Sequence, residues 1–477
     1  MTVRRQLINF GKEHTDFRVG DGAFDDLPRM LRGTVARSQR AVLVAQEEAL
    51  ELCGETVRRS LVDAGFKVSE FVVAKGEKIA TMDRAVKLFE ALDEAHITAE
   101  DLVVALGDAD ACALVTFCAN SWCGGVPYVM LPTTLDAMAS SPTVMRGLDS
   151  GDSFSMVSLR PHATLVVCEL NLVLGRPIEE VGLGLVQIVA AYLCESRRYW
   201  DRIEEVVSGL AGGTAGSYMV ALAETQTSRV NSIKATSPSA RTALLFGYTT
   251  ACALHDCLGP DVPEYQLLAE GMRFEARLAS EVMEFPVEEV FRIDDSFEEL
   301  GIEELPFSLD TDEFIQAIKA ERFKRSNRFM LPLPKRAGFV RLTAVDDEVL
   351  ERHADAYLGS REELLEELEG EGGDGEGADD EDAGDSDVDA DAGRDDGSDP
   401  GADDSDADAS TDADAGYDQA VDDSDADDAD VSSYDPGADD SDADAAEISS
   451  YDPAVDDSDA DDDGTSVGES GVEPADE

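Results

Sequence analysis

Gly125-Val126-Pro127-Tyr128-Val129-Met130-Leu131-Pro132-Thr133-Thr134-Leu135 is the stretch that decides the fold of this 477-residue chain. Its apolar centre, Tyr128 to Leu131, predicts a β-strand that ends at Pro132. Toward the N-terminus, similar runs predict strands at Ala41 to Ala45, Phe66 to Ala74 and Asp101 to Gly107. Helical patterns separate these runs, from Glu47 to Ala64 and at Met82, Ala85, Val86, Phe89 and Leu92. This alternation predicts an α/β domain with a Rossmann-like parallel sheet, which binds ligands beyond the carboxyl ends of its strands.

The strand pattern fades after about Glu180, and helices dominate the rest of the body. We therefore expect a second, mostly helical domain over residues 176–358, after an α/β domain over residues 1–175. The sequence predicts helices at 182–194, 203–211, 240–258, 265–285 and 347–357, and short late strands at 328–333 and 339–342.

Residues 359–477 differ sharply from this body in composition. From Arg361 to Glu477 there are 49 acidic and 2 basic residues, which account for −47 of the net charge of −66. A segment of Asp, Ala, Gly and Ser cannot bury enough apolar surface to offset its conformational entropy, so we expect a disordered tail. It contains a 17-residue repeat with Tyr417, Tyr434 and Tyr451 in register. Its Asp-Ser-Asp-Ala-Asp runs resemble calcium loops but lack the turn glycine and the distal glutamate.

Composition also excludes several classes of protein. No apolar run is long enough to span a bilayer, and no signal peptide is visible after Met1, so a cytoplasmic protein without a membrane contact is expected. The eight cysteines form no Cys-x-x-Cys pair, which favours reduced thiols. The acidity of the body argues against nucleic-acid binding.

Four segments, in order along the chain, resemble the 3-dehydroquinate synthase family. They are Gly76-Glu77-Lys78 with Thr81, the strand end Ala105-Leu106-Gly107, the stretch from Gly125 to Leu135, and Arg241 with Leu245-Phe246-Gly247. Arg328-Phe329-Met330-Leu331 fits the C-terminal part of the family pattern as well. The resemblance implies a homodimer that binds NAD on the α/β domain and a divalent metal, usually zinc, on the helical domain. It also implies formation of 3-dehydroquinate from a seven-carbon sugar-acid phosphate in the shikimate pathway.

Some positions of the family's site are kept in this chain. The resemblance assigns cofactor contacts to Glu77, Gly107, Thr133, Thr134 and Glu180, although a Pro-Thr-Thr turn can also persist for backbone hydrogen bonding alone. It assigns contacts with the substrate phosphate to Arg146, Lys234 and Arg241. Glu264 is left as a lone candidate metal ligand.

Many other positions depart from the family pattern. The glycine-rich turn is replaced by Gly107-Asp108-Ala109-Asp110, with Ala113 at its closing aspartate, so NAD binding is expected to be weakened. Gln187 and Tyr248 replace a glutamate and a histidine of the zinc site, which makes a divalent metal doubtful. The remaining departures are Gly124, Ser140, Ala190 and Cys252, and the C-terminal cationic element is reduced to Lys319, Arg322, Lys324 and Arg325. His255 lies nearby and is expected to be an ordinary surface or core histidine.

Three hypotheses follow from these substitutions. The first is a catalytically impaired or non-catalytic family member with a regulatory or partner-binding role. The second is a divergent active 3-dehydroquinate synthase, or a related NAD-dependent sugar-phosphate cyclase that acts on a heptulosonate phosphate. The third is a binding module whose acidic tail contacts basic proteins or divalent cations, with the body as its anchor.

Overall fold

A computed structural model describes residues 3–35, 37, 39–151, 153–229, 233–234 and 245–373. A seven-stranded sheet forms the first part of the chain, in the order β1-β2-β9-β6-β5-β3-β4. All neighbouring strands are parallel except β1 and β2, which form an antiparallel pair at one edge. The strands are β1 (Val3–Asn9), β2 (His14–Gly20), β3 (Arg40–Gln46), β4 (Lys67–Val73), β5 (Leu102–Gly107), β6 (Tyr128–Pro132) and β9 (Leu165–Glu169). The short pair β7 (Leu148–Ser150) and β8 (Ser153–Val157) stands apart.

The central strands are apolar throughout because both faces of the sheet are covered. Leu102 and Val104 pack with helices on one face, whereas Val103 and Ala105 belong to the core on the other face. Every residue of β5 is buried, so its apolar run shows no alternation. The flanking helices are α1 (Leu27–Arg32), α2 (Glu47–Ala49), α3 (Glu55–Asp63), α4 (Met82–Glu94), α5 (Ala109–Ser121) and α6 (Leu135–Ser140).

Helices form most of the second part. They are α7 (Ile178–Glu195), α8 (Arg197–Trp200), α9 (Ile203–Ala211), α10 (Ala215–Ser228), α11 (Tyr248–Leu258), α12 (Glu264–Met283), α13 (Val287–Glu299), α14 (Thr311–Phe323) and α15 (Asp347–Gly373). An antiparallel hairpin, β10 (Met330–Arg336) and β11 (Phe339–Ala344), precedes α15. The predicted fold class, a Rossmann-like α/β part followed by a mostly helical part, is confirmed. The proposed division at residues 175 and 176 stays a prediction.

Two glycines allow α11 and α12 to approach closely. A Cβ atom on Gly271 would lie 2.2 Å from the carbonyl oxygen of Gly247, which no side chain can tolerate. Gly247 itself has φ +82, a left-handed conformation that favours glycine. The N-terminus of α11, which carries Tyr248, is therefore held firmly against α12.

The predicted start of the acidic tail at residue 359 is wrong. Helix α15 continues to Gly373, and Arg361 is only 2% exposed. Its guanidinium lies 3.0 Å from Glu270 and 2.9 Å from Glu304, and stacks 4.7 Å from the ring centre of Tyr357. A buried ion pair therefore fixes the helix where composition alone indicated a solvated segment. The rest of the predicted tail lies outside the described residues.

Within the described part of the chain, no helix is long and apolar enough to cross a bilayer.

Candidate functional site

The carboxyl edge of the sheet at β5 and β6 carries the turn that precedes α5. A Cβ atom on Gly107 would lie 2.8 Å from the Ala111 methyl group and 2.9 Å from the amide oxygen of Gln46, so glycine is required there. The Thr133 N–H donates to the carbonyl oxygen of Gly107 at 2.8 Å. The predicted cofactor positions Gly107, Thr133 and Thr134 therefore lie together at the carboxyl ends of the neighbouring strands β5 and β6.

Asp108 occupies the N-terminus of α5 with its own carboxylate. One oxygen accepts a hydrogen bond from the Ala111 N–H at 2.9 Å, and the other accepts from the Gln46 amide at 3.0 Å. Burial raises the pKa of Asp108, and the neighbouring charge of Asp110 raises it further, whereas the two hydrogen bonds oppose the shift. A helix N-terminus attracts anions through its free N–H groups and its dipole. Here a side chain of the protein itself supplies that anion.

Arg146, one of the three predicted phosphate contacts, is paired with an acidic side chain of the protein. Its Nε donates to a carboxylate oxygen of Asp110, and its side chain is 29% exposed. Burial disfavours the charged guanidinium, but Asp110 and then Asp136 outweigh that effect, and the pKa of Arg146 is raised. Asp136 is oriented by the Thr134 hydroxyl, which donates to it at 2.6 Å. The Asp110 carboxylate therefore already offsets the positive charge that would attract a phosphate to this arginine.

Gln187 and Tyr248 contact each other at the position that the family resemblance gives to the metal. The Gln187 amide donates to the Tyr248 hydroxyl at 3.2 Å. Its amide oxygen is buried and has no hydrogen-bond partner in the described part of the chain. Burial raises the pKa of the Tyr248 phenol, so this group stays protonated near neutral pH. Glu264 begins α12 and is exposed.

Arg229, at the C-terminal end of α10, contacts this region and was not anticipated from the sequence. It is 3% exposed and donates to the backbone carbonyls of Ala139 and, at 3.4 Å, Gln187. Burial lowers its pKa to about 10. Gln46 was missed as well, although its place at the carboxyl end of β3 could have indicated it. For Arg229 no sequence signal exists, because a charged residue after a helix usually faces solvent.

The remaining predicted site residues lie in ordinary surroundings. Glu77 pairs with Arg84, and Glu180 in the first turn of α7 lies 3.6 Å from Arg176, which precedes that helix. Lys234 is exposed, and Arg241 lies outside the described residues. His255 is about half exposed, beside Asp256. Among the cationic residues of the C-terminal element, Lys319 pairs with Asp347, Lys324 with Glu321, and Arg322 is buried.

Several solved structures share the fold of this chain. The chain resembles 2-deoxy-scyllo-inosose synthase, solved with carbaglucose-6-phosphate, NAD+ and Co2+, with a TM-score of 0.66 and 14% identity, over 74% of this chain and 99% of that one. It also resembles 2-epi-5-epi-valiolone synthase from Streptomyces hygroscopicus, solved with NAD+ and Zn2+, with a TM-score of 0.63 and 17% identity, over 73% and 97%. At these identities the likeness shows the fold.

Within that fold the sequence resembles the 3-dehydroquinate synthase family. The family model for the 3-dehydroquinate synthase N-terminal region matches residues 70–181. The 3-dehydroquinate synthase of Symbiobacterium thermophilum is 26% identical over 275 residues, 57% of this chain and 77% of that protein. That of Geobacillus thermodenitrificans is 23% identical over 337 residues, 70% and 92% respectively. The resemblance inferred from the four motifs is confirmed.

Neither a nicotinamide dinucleotide nor a catalytic zinc ion fits the residues of this chain well. A pyrophosphate at the start of α5 would meet the Asp108 carboxylate, which already uses the Ala111 N–H. Zinc prefers thiolate, imidazole and carboxylate ligands, whereas a neutral amide and a protonated phenol are poor donors. The described residues contain no group of three or more His, Cys, Asp or Glu side chains able to hold a metal.

Proposed function

We propose that this chain is a catalytically impaired or non-catalytic relative of 3-dehydroquinate synthase that keeps the fold for a regulatory or partner-binding role. The observation that carries the proposal is the Asp108 carboxylate at the N-terminus of α5, 2.9 Å from the Ala111 N–H. That carboxylate takes a donor that a cofactor phosphate would otherwise use, and it repels the phosphate charge.

The electrostatic penalty can be bounded from Coulomb's law. Two like unit charges about 4 Å apart repel by about 1 kcal/mol in water and about 4 kcal/mol near a protein surface. Because about 1.4 kcal/mol corresponds to a factor of ten, Asp108 alone would weaken a phosphate ligand roughly fivefold to nearly a thousandfold. The pairing of Arg146 with Asp110 and the poor donor set at Gln187 and Tyr248 act in the same direction.

The runner-up is a divergent active 3-dehydroquinate synthase or a related NAD-dependent sugar-phosphate cyclase acting on a heptulosonate phosphate. The kept Gly107, where no side chain fits and the backbone can approach a ligand closely, favours this alternative. In that case Arg146 would exchange Asp110 for the substrate phosphate.

Metal analysis together with a reaction assay separates the two functions. The purified full chain is analysed for bound zinc, then supplied with NAD+, Zn2+ and the seven-carbon sugar-acid phosphate, and inorganic phosphate is measured. The proposal expects substoichiometric zinc and phosphate release no faster than in a metal-chelated control. Stoichiometric zinc with turnover above that control would establish the runner-up.

Two further properties belong to the same proposal. We expect a homodimer, as the family resemblance implies, and contacts of the acidic tail with basic proteins or divalent cations. Light scattering measures the first property. For the second, Ca2+ is titrated into the full chain and, as the control, into a chain that ends at Gly373 and lacks the tail.

A further inference from the structure

The last turns of α15 continue a stripe of side chains that is buried earlier in the same helix. Ala354, Leu358 and Arg361 are 0%, 4% and 2% exposed, at the spacing of one helix face. Leu365 and Leu368 continue this face four and seven residues after Arg361. Leu365 is half-buried, whereas Leu368 is 58% exposed. The helix therefore leaves the body with part of its apolar face uncovered.

The position of this helix end is fixed by the ion pairs of Arg361. Glu270 is fully buried and is also bonded by Arg273 at 2.7 Å and by the Tyr357 hydroxyl. Because Arg361 lies 3.0 Å from that carboxylate, the turns after it start from an anchored base. The half-buried Leu364 and Leu365 and the exposed Leu368 thus lie on an ordered helix.

The charged residues of α15 after Arg361 are all negative within the described part of the helix. Glutamates occupy the remaining polar positions from residue 362 to residue 369, and the last turn of the helix contains no basic residue. Glu362 with Glu366, and Glu363 with Glu367, place like charges four residues apart, which destabilises a helix. Carboxylates near a helix C-terminus also oppose the helix dipole. A cationic partner would relieve both effects.

We infer that the face of α15 formed by Leu364, Leu365 and Leu368 docks a basic amphipathic helix of another protein. Such a partner would lay its own apolar stripe on the leucines and its lysines or arginines beside the glutamates, as helices packed side by side do. A second copy of this chain is the wrong occupant, because the same five glutamates would face each other. The inference adds a surface to the proposed partner-binding role, and its test does not depend on the loss of catalysis.

A pair of peptides tests the inference on the full chain. One is a fluorescent peptide of about three Leu-Lys-Lys-Ala-Leu-Lys-Lys heptads, and the other is a scrambled peptide of the same composition without the stripe. Both carry the same charge, so attraction to the acidic tail affects them equally. We expect the patterned peptide to bind about tenfold more tightly, measured by fluorescence anisotropy. The reason is that it can bury about one more leucine side chain than the scrambled peptide.

Variants of the full chain identify the surface. Leu365→Ser/Leu368→Ser should reduce the affinity for the patterned peptide to that for the scrambled one. Leu7→Ser/Val62→Ser, which alters two exposed apolar residues elsewhere, should leave the difference intact. Equal binding of the two peptides to the unaltered chain would overturn the inference. So would a preference that survives Leu365→Ser/Leu368→Ser, or a dimer that this variant converts to a monomer, since a second copy would then occupy the face.

Discussion

Replacing Arg361 by alanine should destabilise the protein far more than an ordinary surface substitution. Arg361 is 2% exposed and pairs with Glu270, which is fully buried, and with Glu304. Removing one partner of a buried ion pair leaves an uncompensated charge and typically costs about 3–5 kcal/mol. Because Arg273 still bonds Glu270, we expect the lower end of that range, about 3 kcal/mol.

Urea unfolding followed by circular dichroism measures this difference. Arg352→Ala is the matched control, since Arg352 lies on the same helix and pairs with Glu281 but is 62% exposed, and such pairs contribute about 0–1 kcal/mol. A chain that ends at Ser360 should lose about as much stability as Arg361→Ala, whereas a chain that ends at Gly373 should lose little. If Arg361→Ala cost no more than Arg352→Ala, the anchoring of α15 would be wrong.

Three further predictions concern one buried carboxylate and two helical glycines. Burial raises the pKa of Glu275 to about 7 in the folded protein, above its ordinary 4.5, so its share of stability is highest at low pH and is lost as the pH rises from about 4.5 to 7. The whole loss amounts to about 3 kcal/mol. Between pH 5 and 8 the free energy of unfolding, measured by urea titration, should therefore fall by roughly 2–3 kcal/mol more in the wild type than in Glu275→Gln, and parallel pH profiles would contradict this. Gly271→Ala would place its methyl group 2.2 Å from the Gly247 carbonyl oxygen and should cost several kcal/mol or prevent folding, which thermal unfolding detects. Gly216→Ala on α10, with open space around the new methyl group, should instead raise stability by about 0.5–1 kcal/mol, and a loss there would show that helix propensity does not govern this position.

The sequence predicted the central strands because their local pattern and their burial agree. The apolar runs Leu102–Gly107 and Tyr128–Pro132 are both buried on the two faces of the sheet. The edge strands β1 and β2 were missed, since β1 reads Val-Arg-Arg-Gln-Leu-Ile-Asn and is mostly exposed. Strand β2 joins the parallel part of the sheet through its pairing with β9, which lies about 150 residues later in the chain. No local sequence pattern reveals such a distant contact.

The candidate site was predictable in its charges and unpredictable in its contacts. The four aligned motifs indicate that Asp108 and Asp110 occupy the place of a bound phosphate. That Asp108 caps its own helix and Asp110 holds Arg146 depends on side-chain geometry in three dimensions. Arg361 was assigned to the tail because charge runs are usually solvated, and only the buried Glu270 reverses that expectation.

Titration of the full chain with NAD+ by calorimetry tests the central claim most directly, namely that the Asp108 carboxylate bars the cofactor phosphate. The wild type should bind no more tightly than about 1 mM, and Asp108→Gly should bind at least fivefold more tightly. Asp310→Gly is the matched control, since Asp310 caps α14 through the Glu313 N–H at 3.0 Å, and it should behave like the wild type. Micromolar binding by the wild type, unchanged in Asp108→Gly, would contradict the account.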